Sequence, residues 1–205
     1  MALLPESDVR RIEATIAKIE AEVDAELVVA VVPRSATHAE LRGAAALAIT
    51  VAAALVAFHY LPRSLDPFVL ALELPSFAAL FAVLGRPWFQ RHLIRARDAD
   101  ETVRAAALRT FAERGVHRTA NRTGILVFVS EVERRAVILG DSGVHDVVGD
   151  EGWNGHVRTL VSRIGEGRTG DGIVEVLEGL GSALSTRFPA PADKPNELPN
   201  AVLRS

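Results

Sequence analysis

Gly43-Ala-Ala-Ala-Leu-Ala-Ile-Thr-Val-Ala-Ala-Ala-Leu-Val-Ala-Phe-His-Tyr-Leu61 and Pro67-Phe-Val-Leu-Ala-Leu-Glu-Leu-Pro-Ser-Phe-Ala-Ala-Leu-Phe-Ala-Val-Leu-Gly85 decide how the rest of this chain is read. Each run is nineteen residues long; the first has no formal charge and the second only Glu73. A helix needs about 20 mostly apolar residues to cross a hydrocarbon layer of ~30 Å. Both runs meet that length, and only Pro62-Arg-Ser-Leu-Asp66 separates them. The expectation is a tight transmembrane hairpin. The competing reading, two buried helices of a soluble domain, is opposed by the lack of a polar stripe at helical spacing.

Two residues in the second run stand out. A carboxylate deep in a bilayer costs about 2.5–3.5 kcal/mol, so Glu73 has to be neutralised, reach the interface or pair within an oligomer. Pro75 is expected to bend its helix. The flanking charges predict orientation. Arg34 and Arg42 precede the first run, Arg86, Arg91, Arg95 and Arg97 follow the second, and the turn holds only Arg63. By the positive-inside rule both flanks lie in the cytoplasm, at the inner membrane, with both termini inside. Tyr60, Trp88 and Phe89 sit where interfacial aromatics are expected. The first 30 residues read as an amphipathic helix and strand rather than a signal peptide.

Composition excludes several classes. A length of 205 residues allows one compact domain plus extras. With no cysteine there is no disulfide framework, thiolate zinc site or cysteine nucleophile. A formal charge of −3 argues against a nucleic-acid partner.

The polar parts of the chain complement each other. Val9, Ile12, Ile16, Ile19 and Val23 form one apolar stripe, with Ser7 or Asp8 as the expected cap. Leu27-Val-Val-Ala-Val-Val32 follows as a strand covered on both faces. One helix and one strand cannot make a core, so residues 1–40 must join something later. Residues 98–189 supply it. A helix runs near 98–114 with Val103, Ala107 and Phe111 inward and Gly115 at its end. Gly124-Ile-Leu-Val-Phe-Val-Ser130 and Arg135-Ala-Val-Ile-Leu139 form a hairpin across Glu131–Arg134. A short helix over 144–148, one marked by Val157 to Ile164 and a last one by Ile173 to Leu184 complete the set. The expected fold is α/β, a small sheet sandwiched by helices and interrupted by the hairpin at 41–97. A Pro-rich tail, 190–205, is expected to be extended and partly mobile.

Motifs for chemistry are sparse. No P-loop, nucleophile elbow or HExxH occurs. Gly140-x-x-Gly143 and Gly165-x-Gly167-x-x-Gly170 read as loop glycines. The acidic cluster Asp141, Asp146, Asp150 and Glu151 is the candidate metal site, for Ca²⁺ or Mg²⁺, because Asp141 follows a buried strand and hard oxygens suit those cations. Its plainer reading is a cap at Asp141 and solvated carboxylates beyond. His117, Arg118, Thr119 and Asn121 form a polar loop that could reach the same edge. Trp153 reads as a packing anchor. Arg134 and Arg135 at a hairpin tip could meet anionic lipid or solvent.

Val103-Arg-Ala-Ala-Ala-Leu-Arg-Thr-Phe111, Gly115-Val-His-Arg-Thr119, Thr123-Gly-Ile-Leu-Val-Phe-Val-Ser130, Glu133-Arg134-Arg135 and Gly140-Asp141 together resemble a TPM domain. Trp153, Gly167, Gly172, Leu184 and Phe188-Pro189 continue the pattern, and Asn196-Glu-Leu-Pro-Asn200 is similar to the tail of bacterial members. The resemblance covers 1–35 and 98–200. It implies an α/β sandwich, often membrane-anchored, with roles proposed in acid-phosphatase-like activity, photosystem repair and receptor accessory function. Only Asp141, the strand-end acid, is carried over as a candidate catalytic residue. The expected function is an accessory or interaction module at the membrane, its partner another membrane protein or a second copy. The alternative is a divalent-metal-dependent phosphatase-like activity at Asp141.

Overall fold

The computed structural model describes residues 4–35, 39–86, 89, 96–191 and 193–204, without the side chains of residues 96–98, 146 and 150. His38, Trp88, Arg91, His92 and Arg95 lie outside the described residues, as do the side chains of Arg97, Asp98, Asp146 and Asp150. The chain divides into two compact units, Met1–Ser35 with Ala96–Ser205, and Ala36–Arg95.

The first unit is built on a four-stranded sheet of order β3-β2-β1-β4. β1 (Glu26–Val32) and β2 (Gly124–Ser130) are parallel, with Glu26 opposite Gly124 and Val32 opposite Ser130. β3 (Arg135–Gly140) returns antiparallel on β2. Both central strands are β-branched runs with neither face free, as their unbroken apolar sequence requires. Strand alternation sorts their side chains into two cores. Leu27, Val29, Val31, Ile125, Val127 and Val129 face α1 (Glu6–Glu22), α5 (Ser142–Gly165) and α6 (Thr169–Ser185). Val28, Ala30, Leu126 and Phe128 face Val103 and Ala107 of α4 (Ala96–Glu113). The result is the expected α/β sandwich, one helix on one face and three on the other.

The helices follow their stripes. Ile12 and Ile16 of α1 are fully buried, each stabilising the fold by about 1.5–3 kcal/mol. Neither Ser7 nor Asp8 caps this helix: Pro5 precedes it at φ −58° with no side-chain cap. Proline's fixed φ starts the first turn without a capping side chain. Gly115 ends α4 at φ +68°, as a left-handed C-terminal glycine does. The short helix from 144 and the helix after it meet within α5 at Gly149, whose φ of 67° and ψ of 159° interrupt the helical path.

The tail adds a strand that the sequence reading did not include. It is extended, but Leu203–Arg204 forms β4, parallel to Ala30 and Val31 at the free side of β1. Val202 is buried and its N–H donates to Glu13 at 3.2 Å, while Arg204 pairs with Glu6 at 2.8 Å. A sheet edge with unpaired backbone groups favours such an addition.

The second unit is a helical hairpin, α2 (Ala39–Tyr60) and α3 (Asp66–Leu84), joined through a 3₁₀ turn at Arg63–Leu65. Both helices are long and apolar enough to cross a membrane. Their large side chains point away from the hairpin: Leu55 is 64% exposed and Leu74 80%. Small or short residues fill the contact, with Ala46 and Thr50 buried and the Thr50 hydroxyl bonded to Ala46 O at 3.0 Å. The Arg42 guanidinium lies 4.2 Å over the Phe81 ring.

Gly149 occupies backbone space that is nearly glycine-only. Gly149→Ala should lower unfolding stability by about 1–3 kcal/mol, although its Cβ would meet no neighbour. Urea unfolding of the two proteins side by side checks this.

Candidate functional site

Asp141 leaves the last residue of β3 and opens α5. Its N–H donates to Gly124 O at 2.9 Å, continuing the ladder to β2. Its Oδ1 accepts from the Ser142 N–H at 2.6 Å, so the carboxylate is a helix cap. Oδ2 is buried and has no hydrogen-bond partner among the described residues. The polar loop before β2 reaches this end of the sheet, as expected. Gly143 N–H donates to Arg122 O at 3.0 Å, and a Cβ on Gly143 would lie 2.6 Å from that oxygen. Asn121 donates to Asp24 at 2.7 Å and Thr119 Oγ1 accepts from Thr123 N–H at 3.0 Å.

The side chains of Asp146 and Asp150 lie outside the described residues, and the described candidates do not gather around Asp141. Glu151 is exposed on α5. His117 lies beside Phe111, ring centroids 6.2 Å apart. Glu133 sits in the β2–β3 turn, at the far end of β3, where it accepts from Ser130 Oγ at 2.5 Å and Ser35 N–H at 3.2 Å. Among the described residues no group of three or more His, Asp or Glu could hold a metal ion. Trp153 is an anchor: it is 8% exposed, and its Nε1 donates to His145 O at 3.3 Å. Arg135 pairs with Asp100 at 2.5 Å, whereas Arg134 is exposed with φ +50°.

A second polar centre went unread in the sequence. Glu26, the first residue of β1, is 1% exposed. Lys194 from the tail places Nζ 3.0 Å from its Oε1 as an ion pair and donates its hydrogen bonds to Ala25 O at 2.7 Å and Val23 O at 3.2 Å. Glu26 Oε2 accepts from Leu198 N–H at 3.1 Å and from the Asn196 amide at 3.2 Å. Beside it, buried Glu20 accepts from Leu27 N–H at 2.8 Å. These groups line a cavity of ≈190 Å³ with Ala17, Ala21, Pro195 and Asn200. Burial, with the neighbouring Glu26 charge adding to it, pushes the Glu20 carboxyl up to about 7, against the opposing pull of the Leu27 N–H and Lys194. The available signal was Lys194 itself, one of two lysines in the chain and adjacent to Asn196–Asn200.

A raised folded-state value means the native protein holds a proton that the unfolded chain releases. The Glu20 contribution is therefore full below about pH 4.5 and lost as pH rises through about 7. Glu20→Gln should flatten the decline of melting temperature across that window, measured at several pH values beside the parent. Lys194→Met leaves the Glu26 charge buried without its cation and should cost about 3–5 kcal/mol, read from urea midpoints.

Comparison with known proteins places this architecture. No curated protein matches the chain. The NMR structure of BA42 protein from the psychrophilic bacterium Bizionia argentinensis sp. nov. is similar in fold, with a TM-score of 0.63 at 19% identity, covering 100% of this chain and 97% of that one. Residues 92–183 match the family model described as TPM domain. That match spans α4, β2, β3, α5 and most of α6, the elements that present Asp141 and Trp153, so this part of the chain is similar to a TPM domain.

Proposed function

We propose that the chain is an integral inner-membrane protein whose α/β unit works in the cytoplasm as an accessory module, binding another membrane protein or a second copy. The single observation that carries this reading is the hairpin. Two helices of membrane-crossing length turn large apolar side chains such as Leu47, Leu55, Phe68 and Leu74 outward. Exposed apolar area on that scale is unfavourable in water and favourable in lipid. Because a hairpin returns the chain to the side it left, β1 and β2 can pair on one side of the bilayer. The Arg excess on the flanks over the single Arg63 in the turn supports a cytoplasmic side.

The metal-dependent phosphatase reading has narrower support. Asp141 Oδ2 is buried and unsatisfied, as a group awaiting a cation would be, but Oδ1 is committed to the Ser142 N–H. Among the described residues that leaves one free oxygen, fewer than a divalent cation needs.

The membrane reading makes a direct prediction. Expressed in a bacterium, the chain should stay in the membrane pellet after alkaline extraction. A phosphatase reporter inserted between Arg63 and Asp66 should be active outside, while one after Ser205 is not. Recovery in the supernatant without detergent, or the reverse reporter pattern, would sink it.

A further inference from the structure

The sheet is finished differently at its two edges. At β1 the tail adds β4, whereas β3 ends the order on the other side. In an antiparallel pair, hydrogen-bonded and non-hydrogen-bonded residue pairs alternate. The Asp141 N–H to Gly124 O bond fixes the phase. Leu139, Val137 and Arg135 therefore spend their backbone groups on β2, and Ala136, Ile138 and Gly140 turn theirs outward. Among the described residues none of these three makes a backbone hydrogen bond outside the ladder.

A groove of ≈460 Å³ runs along this edge. α4 forms one wall with Arg104, and α5 forms the other with His145, Trp153, Asn154 and Val157. The Trp153 ring lies against Gly140, so close that a Cβ there would fall 2.9 Å from it. The floor offers unpaired backbone and the α5 wall offers an aromatic face. Among the described residues of the lining the formal charge is that of Arg104, which is exposed.

We propose that the β3 edge binds an extended peptide segment of a partner protein by strand addition, with an acidic side chain of that segment on Arg104. This rests on the interaction-module reading and names the class of partner. Backbone bonds to Ala136, Ile138 and Gly140 supply affinity, and alternate side chains select the sequence by reaching the Arg104 wall or the Trp153 wall. Charge separates this occupant from a second copy. Two chains pairing at β3 would bring an Arg104 from each into one groove, a like-charge contact that disfavours self-association.

The test uses the full chain in lipid nanodiscs, with a phage-displayed random peptide library as the probe. Enriched peptides should alternate apolar residues around an Asp or Glu. A synthetic copy of one should slow amide exchange at Ala136, Ile138 and Gly140 in the parent protein. Arg104→Glu should weaken that peptide roughly tenfold, the loss of one charge-assisted contact. Ala136→Pro should abolish binding, since its ring replaces an outward N–H and leaves the ladder to β2 intact. The exchange measurement on the parent stands by itself if that variant unfolds. No enriched peptide, peptides that leave those three amides unprotected, or binding indifferent to Arg104→Glu overturns the proposal. Concentration-dependent protection of the same amides without peptide overturns it in favour of a second copy. Failure of the anchoring reading appears separately, as a chain that remains soluble without lipid while the peptide results stand.

Discussion

Parallel pairing of β1 with β2 is the constraint on which the rest depends. Two parallel neighbours cannot be joined by a tight turn; the chain must leave one end of the sheet and return to the other. Here the crossover holds α2, α3 and α4. α4 does the usual work of such a connection, covering the face made by Val28, Ala30, Leu126 and Phe128. α2 and α3 form their own unit. A crossover tolerates such an insertion because loop closure grows costly only slowly with length.

The edges of the sheet are managed by different means. β1 begins with a carboxylate that is almost wholly buried, an arrangement that needs an opposite charge and hydrogen bonds beside it. Lys194, Asn196 and Leu198 provide that pairing from the tail, and the same segment then lays down β4. Charge neutralisation and edge closure are thus one event. β3 is left open between two helical walls. One border of the domain is closed by its own tail, and at the other Ala136, Ile138 and Gly140 make no backbone hydrogen bond outside the ladder among the described residues.

Most of the fold was legible because its signals are local. Leu27–Val32 and Gly124–Ser130 are unbroken apolar runs, which fixes both as doubly covered strands, and Val9–Val23 repeats at helical spacing. Gly115 marked a real helix end. The strand in the tail went unread because its segment is held by contacts with Glu13, Glu20 and Glu26, distant in sequence, and three prolines argue locally against a strand. The same distance hid the Glu20–Glu26–Lys194 centre: on α1, Glu20 looks like one of the solvated glutamates beside Glu13 and Glu22. Asp141 was correctly located at a strand end, where a cap and a ligand look alike in sequence. Only the position of Ser142 N–H on Oδ1 separates them.

The wide spacing of β1 and β2 has a consequence for biosynthesis. When Glu26–Val32 emerges from the ribosome, its pairing partner is still about a hundred residues from being made. At translation rates of roughly 5–20 residues per second that interval lasts on the order of 5–20 s. Throughout it the α1–β1 segment is a sticky fragment with both strand edges bare, while the nascent hairpin passes through the exit tunnel. Newly made chains should therefore depend on a holdase during that window, and any delay in hairpin insertion should show up as aggregation of the amino-terminal fragment.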